Sequence, residues 1–200
     1  MTEREKMLAG LLYDAGDPEL VQLRLRARRL TRQYNQTDEG EAETLGAILR
    51  ELFPNSGEGF VVQAPVYADY GLNASFGRDC YANFNFTVLD CCPIQVGDNV
   101  MFGPNCTLAA PMHPLLPRER DPRRRGDGST YILEYAKPIT IGSSCWLASN
   151  VVVCGGVTIG EGCVIGAGSG GTRDTPPHTL AAGNPCRPIR PITEADALAR

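Results

Sequence analysis

The chain has 200 residues and a formal net charge of −4, with a sequence pI near 5.2. A weakly acidic chain of this size is one domain, or one domain with an appendage, and its charge argues against a nucleic-acid partner. No apolar run approaches the length that spans a bilayer, and Met1-Thr-Glu-Arg-Glu-Lys6 does not have the form of a signal peptide, so a cytoplasmic protein with no membrane partner is expected.

Residues 1–60 read as a helical segment. Apolar residues recur at Met7, Leu8, Leu11 and Leu12, at Leu20, Leu23, Leu25 and Leu30, and at Leu45, Ile48, Leu49 and Leu52. Asp17-Pro18 is a start signal for the second helix.

Residues 61–190 have a different period. From Ile141 to Gly170 the chain repeats every six residues, in hexads opening at Ile141, Leu147, Val153, Ile159 and Ile165, and two similar hexads run from Val96 to Thr107. Each opens on an aliphatic or aromatic residue, follows it with a small one (Gly142, Ala148, Cys154, Gly160, Gly166), and carries a small or β-branched residue in fifth place. A hexapeptide period predicts an all-β solenoid, a parallel β-helix in which three hexads close one triangular coil. Val96, Phe102, Leu108, Ile141, Leu147, Val153, Ile159 and Ile165 are the predicted inner stripe, each contributing about 1.5–3 kcal/mol on burial. The small second residue is expected to let the chain turn at the corner. Trp146 falls outside the stripe and is expected against a loop or a partner. The period leaves the hand of winding open, although parallel crossovers are generally right-handed. Residues 191–200 follow as a tail.

Gly97 and Gly142 are separated by one coil plus an insertion that spans roughly residues 109–137 and carries His113. A long excursion from a regular solenoid is a functional signal. His113 is one of only two histidines. His178, in Pro176-Pro-His-Thr179, has only the context of a surface turn. Cys80, Cys106, Cys145 and Cys163 take the fifth place of their hexads, which predicts small interior hydrophobes, and no C-x-x-C pair or Cys/His cluster suggests a metal. The interleaved acids and prolines of Arg118-Glu-Arg-Asp-Pro-Arg-Arg-Arg125 favour a solvated loop, with closure over the acceptor or contact with an adjacent subunit as the alternatives.

Five stretches carry a family resemblance: Lys6-Met-Leu-Ala-Gly-Leu-Leu-Tyr-Asp14, Tyr81-Ala-Asn-Phe-Asn85, Ile94-Gln-Val-Gly-Asp-Asn-Val100, His113-Pro114 and Ala181-Ala-Gly-Asn-Pro-Cys-Arg187. In this order, over nearly the whole chain, they resemble the maltose and galactoside O-acetyltransferases of the hexapeptide-repeat superfamily. The resemblance implies a left-handed parallel β-helix with an N-terminal helical segment and an inserted loop. It also implies a homotrimer with active sites between subunits, acetyl-CoA as donor and a sugar hydroxyl as acceptor.

Moving an acetyl group from a thioester to an alcohol needs a base for the hydroxyl proton and donors for the oxyanion. His113 is the expected base. By position in the family, Asp14, Arg24, Asp69, Asn83 and Glu134 are expected around the acceptor or the histidine. Cys91 stands where the galactoside type has an acid, with Asp90 beside it, both expected at the acceptor, and Asp69 follows the maltose type. Ser149, Ala167, Thr172, Arg173, Arg187 and Arg190 match coenzyme A positions, with arginines suited to its phosphates and Ser149 N–H to the oxyanion. Gly170-Gly171 replaces a usually aliphatic pair and is expected to loosen the chain before Thr172. Other hexapeptide enzymes acetylate serine, antibiotics or lipo-oligosaccharides, and a solenoid can also be a non-catalytic scaffold. A zinc enzyme of the γ-carbonic-anhydrase sort needs three histidines per metal, one more than the chain contains.

Overall fold

The computed structural model describes residues 1–198, and these form a capped parallel β-solenoid. Three faces stack coil upon coil. The first face is built from Asn55–Ser56, Ala74–Phe76, Ile94–Val96, Ile139–Ile141 and Thr158–Ile159. The second runs through Val61–Val62, Tyr81–Ala82, Met101–Phe102, Trp146–Leu147, Val164–Ile165 and Thr179–Ala182, with Arg187–Pro191 added antiparallel. The third holds Val66–Ala68, Phe86–Leu89, Thr107–Ala109, Val152–Cys154 and Gly170–Gly171. The first coil strand, Asn55–Ser56, thus lies inside the stretch read from sequence as helical.

The whole predicted inner stripe is buried. In the early coils phenylalanines fill the prism: Phe60 stacks on Phe76 at 4.4 Å, and Phe86 lies 4.7 Å from Phe102. Trp146 is 48 % exposed on the outside of the second face, between Met101 and Val164.

The corners have two separate requirements. The fourth residue of the hexad turns the chain, and it takes positive φ: Asn99 +57°, Asn105 +61°, Ser144 +58°, Asn150 +60°, Gly156 +88°, Gly162 +64° and Gly168 +70°. Asparagine suits the site because it tolerates the left-handed region and can pair with its copy in the next coil. Asn85 Nδ2 donates to Asn105 Oδ1 at 2.9 Å, and Asn105 Nδ2 to Asn150 Oδ1 at 3.1 Å. The second residue is small for another reason than the turning expected of it. A Cβ on Gly142 would lie 2.5 Å from Glu161 N, and one on Gly160 would lie 2.4 Å from Pro177 N. Coil-to-coil contact, not turning, excludes a side chain there.

The fifth-place thiols are buried as expected, but they are more than small hydrophobes. Cys80 donates to Gly97 O at 3.1 Å, Cys106 to Ala148 O at 3.1 Å, Cys145 to Gly160 O at 3.0 Å and Cys163 to Pro176 O at 3.0 Å. Each thiol therefore reaches a corner carbonyl of the following coil, a group that burial would otherwise leave costly. Gly170–Gly171 forms the last strand of the third face. It pairs in register with Val152–Val153, and Cys186 N donates to Gly170 O at 2.8 Å.

Three helices cover the start of the coil: α1 (Glu3–Leu8), α2 (Pro18–Gln36) and α3 (Ala42–Leu52). Thr2 and Glu5 form a capping box for α1, and Asp17 caps α2 with Pro18 in its first turn. α1 stops at Leu8, earlier than the apolar pattern suggested, because Gly10 takes φ +73° and turns the chain; Leu11 and Leu12 are exposed. Asn35 closes the edge of the first coil. Its side chain donates to Val66 O at 2.9 Å and accepts from Val66 N at 2.8 Å, supplying the partners that a missing strand cannot.

Candidate active site

The insertion leaves the third face after Thr107–Ala109 and returns as Leu133–Ala136. The return strand pairs antiparallel with Pro111–Met112 on one side and with Tyr13–Asp14 on the other. This small sheet joins the capping segment to the base candidate. His113 follows Met112, with buried Pro114 anchoring the turn behind it. The imidazole is 52 % exposed, and its Nε2 lies 3.8 Å from Glu134 Oε2. The other oxygen, Glu134 Oε1, accepts a hydrogen bond from Tyr13 Oη at 2.6 Å. Tyr13 is fully buried, and burial pushes its phenol well above the ordinary tyrosine range, so it remains a donor. Sequence reasoning did not single it out; it was only one letter of the stretch ending at Asp14.

A second group lies beside it. Cys91 Sγ donates to Asp69 Oδ2 at 3.6 Å, and burial pushes both the Cys91 thiol and the Asp69 carboxyl up from their ordinary values. Arg24 donates to Tyr70 Oη at 2.8 Å and to Ala15 O at 2.6 Å, which ties α2 to the coil corner. Asp90 does not face this space. It is completely buried, and its carboxylate accepts from Tyr70 N at 2.8 Å, Gly71 N at 3.0 Å and Asn73 N at 3.0 Å. Its oxygens brace the loop after the third-face strand, so the acceptor contact expected of Asp90 is corrected to a structural one.

Asp14 and Arg24 share an open cleft of about 500 Å³ with Thr130, Tyr131 and Ile132 of the insertion. Asp14 is ion-paired with Arg125, whose guanidinium also lies 4.6 Å over the Tyr131 ring. The basic run is thus not wholly solvated. Its last arginine latches the hairpin Arg123–Arg124/Thr130–Tyr131 to the capping segment at the rim of the cleft.

The residues matched to the donor gather elsewhere. Asn83, Ser149 and Ala167 stack along the corner where the third face begins, whereas His113 departs from the corner where it ends. One strand separates these corners, roughly 15 Å of extended chain. Thr172 and Arg173 lie past the end of the last third-face strand and are exposed. Arg187 and Arg190 are exposed on the added strand, and Arg190 is engaged by Asp196 through contacts of 2.6 and 2.8 Å. Within one chain the structure brings together Asp14, Arg24, Asp69, Cys91, His113 and Glu134; Asn83 and the donor residues stand apart. Among the described residues no group of three or more His, Cys, Asp or Glu could hold a metal ion, and no helix is long and apolar enough to cross a membrane.

Comparison with known proteins agrees with this layout. Residues 6–57 match the maltose acetyltransferase hexapeptide capping motif, and residues 138–170 match the bacterial transferase hexapeptide repeats. Galactoside O-acetyltransferase from Escherichia coli K12 is 41 % identical over 196 residues, covering 98 % of this chain and 92 % of the relative. A maltose O-acetyltransferase from Clostridium difficile 630 superposes with a TM-score of 0.89 at 42 % identity, covering 97 % of this chain and 99 % of the other. A galactoside acetyltransferase solved in complex with coenzyme A gives 0.90 at 41 % identity, with coverages of 98 % and 94 %. The chain belongs to the maltose and galactoside O-acetyltransferase family of hexapeptide-repeat acyltransferases.

Proposed function

We propose that this chain transfers the acetyl group of acetyl-CoA to a hydroxyl of a small sugar, maltose- or galactoside-like, with His113 as general base. The observation that carries the reading is the position of His113, exposed beside Glu134 on the insertion that walls the cleft of Asp14 and Arg24. His113 takes the acceptor proton as the hydroxyl oxygen attacks the thioester carbonyl. The C–S bond then breaks, and the imidazolium returns the proton to the departing thiolate. Asp14, Arg24, Asp69 and Cys91 address the acceptor and its surroundings. Ser149, Ala167, Thr172, Arg173 and Arg187 receive the donor, with Ser149 N–H toward the oxyanion, and Arg190 joins them on leaving Asp196.

The separation of the two groups supports a homotrimer with sites between subunits. A stacked coil cannot fold one corner onto another, but a second copy can bring its own corner alongside. Asn83 and the donor column of one subunit then face His113 of the next. The left-handed winding and a cytoplasmic location belong to the same reading.

The test is a panel of acceptors (maltose, glucose, a galactoside, serine and a lipo-oligosaccharide) incubated with acetyl-CoA, following free thiol and the mass of the product. Acetylated sugar at one hydroxyl is expected. Acetylation of serine or the lipo-oligosaccharide alone would replace the acceptor class, and no transfer to anything would return the chain to a scaffold role.

A further inference from the structure

Of the contacts between the capping segment and the insertion, the one between Tyr13 and Glu134 lies next to His113. Tyr13 and Glu134 are 121 positions apart and face each other in an antiparallel pair. Tyr13 is fully buried, so its ring alone would account for its presence as packing. A phenylalanine would pack equally well. The hydroxyl, however, ends 2.6 Å from Glu134 Oε1, while Glu134 Oε2 is left 3.8 Å from His113 Nε2. The glutamate side chain is only 18 % exposed. A carboxylate so shielded needs a donor, and one that lacks it relaxes toward water and away from its neighbour.

From these contacts we propose that Tyr13 is a positioning residue for acetyl transfer: its hydroxyl pins Glu134, which in turn sets the tautomer and orientation of the His113 ring. The inference rests on the reading of His113 as base. It gives the capping segment a task beyond covering the first coil, since the N-terminal strand then supplies part of the frame that holds the reacting group. The groups facing this contact are Cys91, with Asp69 behind it, from the loops at the coil corner, Glu134 from the return strand and His113 from the outgoing one. Asp14, next in sequence, is turned outward to Arg125 and cannot substitute for the tyrosine.

The test uses the full chain with Tyr13→Phe, Glu134→Gln and the double variant. The chain has only two imidazoles, so long-range ¹H–¹⁵N spectra resolve His113 with His178 as internal reference. Without any substrate, Tyr13→Phe should lower the population of the His113 Nε2–H tautomer, Glu134→Gln should do the same, and His178 should not change. In steady-state assays Tyr13→Phe should lower kcat by about 10–150-fold, the scale of one hydrogen bond to a charged group. The KM for acetyl-CoA should hold. The double variant should be no slower than Glu134→Gln alone, because a residue acting through another adds nothing once that other is gone. An unchanged His113 tautomer ratio in Tyr13→Phe, or fully additive losses in the double variant, would overturn the assignment. Because the spectra need no turnover, they decide the Tyr13 contact separately from whether acetyl transfer to sugars stands.

Discussion

Asn105 donates to Asn150 Oδ1 at 3.1 Å although 45 positions separate them, and the same asparagine accepts from Asn85, 20 positions earlier. The solenoid therefore resumes in register after the insertion, and the corner before the third face continues unbroken. The ladder depends on two properties of asparagine, its tolerance of φ near +60° and its amide. Asn105→Val should lose both and lower the unfolding free energy by about 2–3 kcal/mol, whereas Asn105→Gly should lose only the amide contacts, about 1 kcal/mol. Denaturant unfolding of the two variants would separate the backbone effect from the hydrogen bonds; equal losses would mean that the backbone conformation matters little.

The two kinds of hexad glycine should respond differently to alanine. On Gly142 a methyl would meet Glu161 backbone at 2.5 Å, so coils must part, at a cost of about 2–3 kcal/mol. Gly168 has nothing within 4 Å but sits at φ +70°, so Gly168→Ala should cost only about 1 kcal/mol. Thermal melts of the two variants check the order. The reverse order would show that corner conformation, rather than coil spacing, limits the second position.

Thiol chemistry should be quiet in the folded protein. Burial pushes Cys106 and Cys145 up to about 11, and it raises Cys80, Cys91, Cys92, Cys163 and Cys186 as well. Cys154 is the one thiol that is not fully buried among the eight. A disulfide reagent at pH 8 should label about one equivalent per chain before unfolding, at Cys154, and all eight in denaturant. Rapid labelling of Cys145 in the native protein would contradict its place in the prism interior.

The pairing of Arg190 with Asp196 should be visible both in acid and in donor binding. Hydrogen bonds from Arg190 hold the Asp196 carboxyl down at about 2. A carboxyl depressed in the folded state favours folding above its ordinary value, about 4, and that contribution disappears as pH falls through the depressed value. Carboxyl NMR should therefore show Asp196 ionised at pH 3 and protonating near 2. If Arg190 serves a coenzyme A phosphate, Asp196→Ala should free it and lower the KM for acetyl-CoA by about 2–5-fold, and Arg190→Ala should raise it by about 5–10-fold. An unchanged KM in both variants would remove Arg190 from the donor site.

His113→Ala should lower kcat by about 10²–10⁴, the usual contribution of a positioned general base. The residues proposed to bind the donor stand on other elements, so the Kd of acetyl-CoA should hold. Calorimetric titration beside steady-state kinetics separates the two effects. Parallel losses in binding and turnover would point to a collapsed site instead of a missing base.

The hexad is legible in the sequence because its cause is local. Residues one and five of each repeat face inward in every coil, so Ile141, Leu147 and Val153 announce the prism without reference to anything distant. The same holds for the excursion carrying His113, which shows as an interruption of a regular count. The reasons behind the pattern were not legible. Glycine in second and in fourth place looks alike in sequence, yet Gly142 answers to the neighbouring coil and Gly168 to its own backbone, and only the spacing between coils distinguishes them. Asp90 likewise reads as an acid among acceptor residues until burial shows its oxygens spent on three backbone N–H groups. The site's frame is the extreme case. Tyr13 comes from the N-terminal segment and Glu134 and His113 from the insertion, as Asp14 and Arg125 do in turn, and no period links them. Their meeting is decided by a short antiparallel sheet between the capping segment and the insertion, a contact formed in space and carried by no local pattern of residues.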